Sequence, residues 1–334
     1  MNRQASTLQT EKPEPEKLNS QKKYLRTALQ TLLHYGGSAL VLYLLFRLLP
    51  GGQVWQTLGR LPPQLWVMVL AGYLAAHCLG VAKWRLMVNL GGAGLNVWQA
   101  LRCYFAGLFG SLFLPSLIGG DLVRAGLALR LGRSKAGALL GSFLDRIIDF
   151  AALTLLAGMG ALLVPGALDA RGRRIFLLLG AGALLGAAAI VGVIMLLPVG
   201  RFSFEMRRRV VRARRAGRSI GRQPGAMLRA LSLAIAAQLV FIELSVLLAR
   251  ACGLELPFRV WLFAWPLAKI SAALPVTQGG IGVREAALAA LLLPFGAPAV
   301  LTVAAGLAWE AIVVSGALVA GFTSLLVGRA SGGE

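Results

Sequence analysis

The chain has 334 residues, of which 57% are hydrophobic and only 14% charged, and its net charge is +21. About a quarter of the residues of a soluble domain are charged, so this composition argues against a soluble globular protein. The apolar residues form blocks of 18 residues or more, and about 20 residues of helix cross a bilayer core. Because lipid offers no partners for backbone polar groups and no barrel-like alternation is present, we predict an all-α integral membrane protein. The predicted spans are residues 29–49, 65–82, 137–164, 175–197, 228–249 and 298–327.

The positive charge is concentrated in two segments, residues 1–28 and the arginine-rich stretch 201–229. Short basic segments stay on the cytoplasmic side of a membrane, so we predict a multi-pass protein of the cell inner membrane with both termini cytoplasmic. This rule explains the charge without nucleic acid, which we do not expect as a partner; anionic inner-leaflet lipid is the expected contact. Residues 1–28 lack the apolar core of a cleavable signal peptide and are expected to form a disordered cytoplasmic tail.

The spans alternate in direction once the tail is placed inside. Lys83 and Arg85 follow the second span and are expected at the cytoplasmic surface. Residues 98–114 are apolar but end at Leu-Pro and Gly-Gly, and basic residues follow, so both ends of this segment are predicted inside. Residues 258–296 are interrupted in the same way. Each segment is therefore predicted to be a re-entrant pair of helices rather than a span.

The same motif, S-x-x-L-P-x-x-x-G-G-x-x-x-R, occurs at both interruptions. The matched pairs are 160 positions apart: Ser111 and Ser271, Leu114 and Leu274, Pro115 and Pro275, Gly119 and Gly279, Gly120 and Gly280, Arg124 and Arg284. An odd number of spans in each half reverses the second half, as in many transporters. We predict two inverted repeats, each of three transmembrane helices and one re-entrant broken-helix pair. The predicted divisions are a cytoplasmic tail (1–28), a first repeat (29–164), a second repeat (165–327) and a short cytoplasmic tail (328–334).

The motif itself predicts a broken helix with an anion-binding end. Proline withholds an N–H and paired glycines permit turns, and a new helix is expected to begin after each Gly-Gly pair. A helix N-terminus attracts anions, and Arg124 and Arg284 add a planar charged fork suited to phosphate. Two such ends near the midplane are predicted to hold an anionic head group. The alternative is that the motif only permits tight helix packing, with the arginines reaching to the interface.

Charged residues within the apolar segments are few. Asp145 and Asp149 are four residues apart and share a helix face, with Arg146 beside them. Charges at membrane depth usually face a bundle interior or a pathway, although mutual neutralisation of these three is an equal alternative. Glu243 and Glu310 are candidates for carrying a coupling proton. The three cysteines and two histidines have no metal-ligand spacing, so we expect no metal and no cofactor.

Three runs of sequence resemble the transmembrane region of lysylphosphatidylglycerol synthases. They are L-P-S-L-I-G-G-D-L-V-R (114–124), S-F-L-D-R (142–146) and P-V-T-Q-G-G-I-G-V-R-E (275–285), and the resemblance covers roughly residues 29–327. It implies a module that moves a lipid between leaflets. Because the chain ends at Glu334, we expect the cytosolic synthase domain and its activity to be absent. The residues that match the family motifs are Pro115, Gly119, Gly120, Asp121, Arg124, Asp145, Arg146, Gly279, Gly280, Gly282 and Glu285.

These observations together predict a lipid flippase or transporter, not an enzyme, that moves a phospholipid or isoprenoid-phosphate lipid. A membrane-embedded lipid-modifying enzyme of glycosyltransferase type and an accessory subunit of a lipid synthase are the alternatives, and a homo-oligomer or a lipid-synthase partner stays open. The predicted substrate-binding residues are Ser111, Pro115, Gly119, Gly120, Asp121, Arg124, Asp145, Arg146, Ser271, Pro275, Gly279, Gly280, Gly282, Arg284 and Glu285.

Overall fold

The computed structural model describes residues 56–113, 118–164, 204–272 and 282–330, and seven isolated positions between 174 and 196. This part of the chain is helical and contains no strand. The helices are α1 (Pro63–Leu90), α2 (Val97–Gly110), α3 (Ile118–Leu131), α4 (Lys135–Leu163), α5 (Phe204–Gly221), α6 (Pro224–Ala251), α7 (Phe258–Ser271), α8 (Val283–Leu292) and α9 (Ala299–Ala330), with a 3₁₀ turn at Leu293–Phe295.

Four of the described helices, α1, α4, α6 and α9, are long and apolar enough to cross a membrane. They coincide, to within a residue or by full inclusion, with the spans predicted at 65–82, 137–164, 228–249 and 298–327. The prediction of an all-α, multi-pass membrane protein is therefore confirmed. The predicted span 29–49 and the tail 1–28 lie outside the described residues, as does 175–197 apart from isolated positions. Helix α9 continues to Ala330, so the first residues of the predicted C-terminal tail (328–334) are helical.

The helix ends follow from local sequence signals. Proline is tolerated in the first turn of a helix, where its missing N–H has no partner to lose, and α1 begins at Pro63. The turn from α1 to α2 ends at Asn96, whose side chain accepts a hydrogen bond from the Gln99 N–H at 2.8 Å, while the Gln99 side chain accepts one from the Asn96 N–H at 3.0 Å. This reciprocal cap fixes the start of α2. Ser134 caps α4 in the same position by accepting from the Gly137 N–H at 3.0 Å.

Helices α1 and α6 pack against each other in opposite directions. The early α1 residues Val69 and Tyr73 share a buried cluster with Phe241 and its neighbours late in α6. The late α1 residue Met87 shares another cluster with Ala230, which lies early in α6. The charged helix α5 packs its apolar side into this second cluster.

Helices α2 and α7 each contact both the helix that follows them and a long helix that is distant in sequence. Helix α2 contacts α3 and also the last helix α9, and α7 contacts α8 and also α4. The backbone of α7 at Phe263 passes directly against Gly160 of α4. At the other end of the sequence, the Ser324 hydroxyl on α9 donates to the Arg102 carbonyl on α2 at 3.0 Å. Helix α2 is therefore held between α3 and α9, and α7 between α8 and α4.

The contacts come in matched pairs when α1 is exchanged with α6, α2 with α7, α3 with α8 and α4 with α9. The contact of α2 with α9 then becomes that of α7 with α4, and the contacts of α1 with α4 and of α3 with α4 become those of α6 and α8 with α9. Helices α1 and α6 both have 28 residues, and α2 and α7 both have 14. The arrangement of these eight helices thus has an approximate two-fold pattern.

Candidate functional site

The first group of buried charges joins α1, α3 and α4, and we call it the first ion-pair set. Lys83 Nζ lies 2.9 Å from Asp145 Oδ1 and 2.6 Å from Asp149 Oδ1. The i, i+4 spacing therefore does place both aspartates on one face of α4, as predicted. The set consists of Lys83, Asp121, Arg124, Asp145, Arg146 and Asp149.

Two arginines complete this set. Arg124 on α3 lies 2.9 Å from Asp121 and 3.3 Å from Asp145. Its guanidinium also faces the rings of Trp84 and Tyr104 at 5.2 and 5.0 Å from their centroids. Arg146 donates from both Nε and Nη2 to the Asp121 carboxylate. With three cations and three carboxylates the set is neutral, which is how charges are tolerated away from water.

The second ion-pair set joins α8 to α9 and consists of Arg284, Glu285 and Glu310. Arg284 Nη2 donates to Glu285 Oε1 at 2.5 Å and to Glu310 Oε2 at 3.0 Å. Glu285 is fully buried and its other oxygen accepts from the Gly282 N–H at 2.7 Å, at the start of α8. Gly282 has φ +84°, a backbone conformation that glycine adopts without strain.

The two motif arginines have parallel relationships. Arg124 on the short helix α3 forms an ion pair with Asp145 on α4, the long helix that follows α3. Arg284 on the short helix α8 forms an ion pair with Glu310 on α9, the long helix that follows α8. The sequence predicted that these arginines bind an anion. In the structure their charges are already balanced by carboxylates, so their role as anion ligands stays a prediction.

Lys269 lies in the last turn of α7, and its environment differs from that of the cations in the two ion-pair sets. Its Nζ donates to Gln238 Oε1 at 2.9 Å and lies 4.7 Å from the Phe241 ring centroid and 4.8 Å from that of Trp265. No carboxylate lies within ion-pair distance of it in the described part of the chain. The rings continue to Trp309, whose centroid is 6.1 Å from that of Trp265.

The two serines of the motif have equivalent local roles. The Ser111 hydroxyl donates to the Leu108 carbonyl at 2.6 Å, and the Ser271 hydroxyl donates to the Ala268 carbonyl at 2.8 Å. Each hydroxyl therefore binds a carbonyl in the last turn of its helix, and the Ala268 carbonyl also accepts from the Ala272 N–H at 3.1 Å. This contact gives a structural reason for serine at both positions.

The first Gly-Gly pair is not where the sequence placed it. Gly119 and Gly120 were predicted to precede a new helix, but α3 begins at Ile118 and includes both. Gly120 packs against Gly107 of α2, and a Cβ on Gly107 would lie 2.8 Å from the Gly120 carbonyl oxygen. Close packing of α2 on α3 therefore requires these glycines. Pro115, Pro275, Gly279 and Gly280 lie outside the described residues.

The two glutamates proposed for proton coupling differ in position. Glu310 is partly buried within the second ion-pair set. Glu243 lies on the exposed side of α6, and the structure gives it no hydrogen bond or ion pair with described residues. The structure thus separates two residues that the sequence treated alike.

Two residues of this region, Lys83 and Lys269, were not among the site residues predicted from the sequence, and Lys83 was predicted in the wrong place. Lys83 was expected at the cytoplasmic surface, but α1 continues to Leu90 and the lysine is 2% exposed. The signal was present, since two aspartates on one helix face need cations. The motifs assigned no role to Lys269, whose contact with Gln238 joins residues 31 positions apart.

The fold and these buried charges define a class of protein: a multi-pass helical membrane protein with ion pairs between its buried side chains. A family model described as Lysylphosphatidylglycerol synthase TM region matches residues 31–321. The chain belongs to this family, in agreement with the resemblance drawn from its motifs. No curated protein and no solved structure matches the chain.

Proposed function

We propose that this protein moves a lipid with a phosphate-containing head group from one leaflet of the cell inner membrane to the other. The observation that carries the proposal is the pair of ion-pair sets, which join Arg124 to Asp145 and Arg284 to Glu310. The carboxylate of each pair lies on a helix long enough to cross the membrane. Ionised residues at depth are costly and usually line a pathway or a substrate site. A polar head group needs such a path through the apolar core.

We further propose that the two halves are inverted repeats. The matched helix lengths and matched contacts support this, as does the opposite direction of α1 and α6, which are equivalent under the exchange. At 1.5 Å per residue, the 14 residues of α2 or α7 extend about 21 Å, less than the about 30 Å of a bilayer core. This length supports the re-entrant assignment.

The proposed path lies between the two broken helices, and it includes the predicted anion-binding role of Arg124 and Arg284. Arg124 Nε is buried and has no hydrogen-bond partner among the described residues. It therefore has donor capacity that its two carboxylate partners do not use. Substrate contact at this position is part of the proposal.

Transport in proteoliposomes tests the proposal directly. The purified protein is reconstituted with a fluorescent phosphatidylglycerol, and appearance of the label in the opposite leaflet is followed by chemical quenching. We expect Arg124→Ala and Arg284→Ala to slow translocation strongly, and Arg250→Ala to have no effect because Arg250 is exposed at the end of α6. Equal rates in all four proteins would exclude a role for the two motif arginines.

Loss of folding must be separated from loss of transport. Removing Arg284 alone leaves the carboxylates of Glu285 and Glu310 without their cation, whereas replacing all members of a buried ion-pair network with uncharged residues is often tolerated. The triple variant Arg284→Met/Glu285→Gln/Glu310→Met leaves no unpaired charge in the second set, and we expect it to fold and to be inactive. A triple variant that is folded and fully active would contradict the proposed path.

A comparison of lipids addresses whether the protein is an enzyme, which we propose it is not. In cells that lack the protein, a transport defect leaves every lipid species present but unevenly distributed between leaflets. Loss of one lipid species by mass spectrometry would instead favour a lipid-modifying enzyme or a synthase subunit.

A further inference from the structure

The charged residues of the two ion-pair sets all have partners of opposite charge, whereas Lys269 has none among the described residues. The cations of these sets, Lys83, Arg124, Arg146 and Arg284, each lie within 4.0 Å of at least one carboxylate. The nearest polar partner of Lys269 is the neutral amide of Gln238, and its other neighbours are the faces of Phe241 and Trp265.

The hydrogen-bonding capacity of this ammonium is incompletely used. A lysine ammonium has three donors and no acceptor, and the structure assigns only one of them, to Gln238. Aromatic faces attract a cation but do not replace an anion. An ammonium held away from water without a counter-charge is unfavourable, so an anion that enters from outside the protein would be bound well here.

Ring contacts connect Lys269 with both ion-pair sets. Phe241 packs against His77, and His77 against Tyr104, whose ring faces the guanidinium of Arg124 in the first set. Trp265 packs against Trp309, which directly precedes Glu310 of the second set in the sequence. Lys269 therefore lies between the two sets.

The rings beside Lys269 belong to the protein core. Phe241, Trp265 and Trp309 contact one another with centroids 5.9 to 6.3 Å apart, and Tyr73 lies against Phe241 and Trp309. These four side chains are only 3–6% exposed. They therefore exclude water from one side of the ammonium, which strengthens its interaction with an anion that approaches from another side.

We propose that Lys269 binds the phosphate group of a lipid between the two ion-pair sets. This inference rests on the proposed transport function, and it identifies the part of the lipid that is recognised. Phosphate is the chemistry shared by a lipid head group and a free phosphate ion, and the experiment separates these two sources.

Binding is measured with the purified full chain in detergent, with tryptophan fluorescence as the signal because Trp265 and Trp309 lie beside the site. The probes are dioctanoyl phosphatidylglycerol, dioctanoylglycerol, which lacks the phosphate, and inorganic phosphate. The variants are Lys269→Met, the conservative Lys269→Arg, and Lys135→Met as a control that removes the same charge from an exposed position at the start of α4.

We expect the parent protein and Lys135→Met to bind the phospholipid at least about tenfold more tightly than dioctanoylglycerol, since a charge-assisted hydrogen bond is lost without the phosphate. Lys269→Met should lose this preference, and Lys269→Arg should retain most of it. An unchanged affinity in Lys269→Met would overturn the proposal. Binding of inorganic phosphate as tight as that of the phospholipid would support a phosphate site and overturn the assignment to lipid.

Thermal unfolding separates a binding role from a structural one. Removing an unpaired interior charge should leave the melting temperature of Lys269→Met equal to or above that of the parent, whereas a structural lysine would lower it. Translocation gives the last distinction. An active parent with a fully active Lys269→Met overturns this inference alone, and an inactive parent that still binds phospholipid through Lys269 overturns only the proposed transport.

Discussion

Lys83 and Asp145 form an ion pair of 2.9 Å between side chains that are 3% and 1% exposed. The two residues lie on different long helices, α1 and α4. The pair is therefore a tertiary contact that fixes one helix against the other. Asp149, one turn further along α4, completes the contact on the same side.

We expect Lys83→Met to lower the free energy of unfolding by about 3 kcal/mol, because it leaves the first ion-pair set with three carboxylates and only two cations. The measurement is thermal or chemical unfolding of the purified protein in detergent. Lys135→Met is the control, since Lys135 is exposed at the start of α4. The double variant Lys83→Met/Asp145→Asn should recover part of the loss. Equal stability of parent and Lys83→Met would contradict this account of the pair.

Gly107→Ala is expected to separate α2 from α3. The added Cβ would lie 2.8 Å from the Gly120 carbonyl oxygen and 3.0 Å from the Arg124 Cβ, so the backbones must move apart. Gly126→Ala is the matched control on α3, with nothing within 4 Å of its Cβ; it should be neutral or more stable, because alanine favours the helix. Unfolding and translocation are measured for both, and an equally stable, active Gly107→Ala would show that the close approach is dispensable.

Glu310→Gln is expected to impair translocation, whereas Glu243→Gln is not. Glu310 forms an ion pair with Arg284, and Glu243 is exposed on α6. If transport is coupled to protons, stimulation by an imposed pH gradient should disappear in Glu310→Gln and persist in Glu243→Gln. The rate is measured in proteoliposomes with and without the gradient. The opposite result would support Glu243, rather than Glu310, as the proton-coupling residue.

Helix α5 is expected to bind anionic lipid through one face. Arg207, Arg208, Arg212 and Arg215 line a single groove with Val211, and each arginine near an anionic surface contributes about 1 kcal/mol. Replacing the four with glutamine should reduce the extra thermal stability of the protein in phosphatidylglycerol nanodiscs over phosphatidylcholine nanodiscs. Arg250→Gln, at the other end of α6, is the control. A lipid preference that survives the fourfold change would place the contact elsewhere.

The long helices were predictable because span length and lack of charge are local properties. Their ends were less so: α1 was predicted to end before Lys83, since the charge rule assigns a basic residue after an apolar block to the surface. That rule does not detect a counter-charge 62 residues away. The shared face of Asp145 and Asp149 was predictable because it depends only on helical periodicity.

The partners of the site residues were not predictable from the motif. The pattern gave Arg124 and Arg284 the same position in each half, and each has one carboxylate neighbour on its own helix. Their other partners, Asp145 and Glu310, lie on the long helices that follow, and only packing brings them together. The position of Gly120 was wrong for a related reason. A glycine that permits a turn and a glycine that permits close packing have the same signature in sequence, and only the neighbour, Gly107, distinguishes them.

The contact between Ser324 and Arg102 joins residues 222 positions apart, and this has a consequence for biosynthesis. Helix α2 is synthesised long before its partner α9 leaves the ribosome, so its packing surface lacks that partner while the intervening residues are translated. A chain that stops before α9 should therefore be recognised by quality-control proteases even though its earlier spans are inserted. The packing of α2 is complete only after α9 has been inserted.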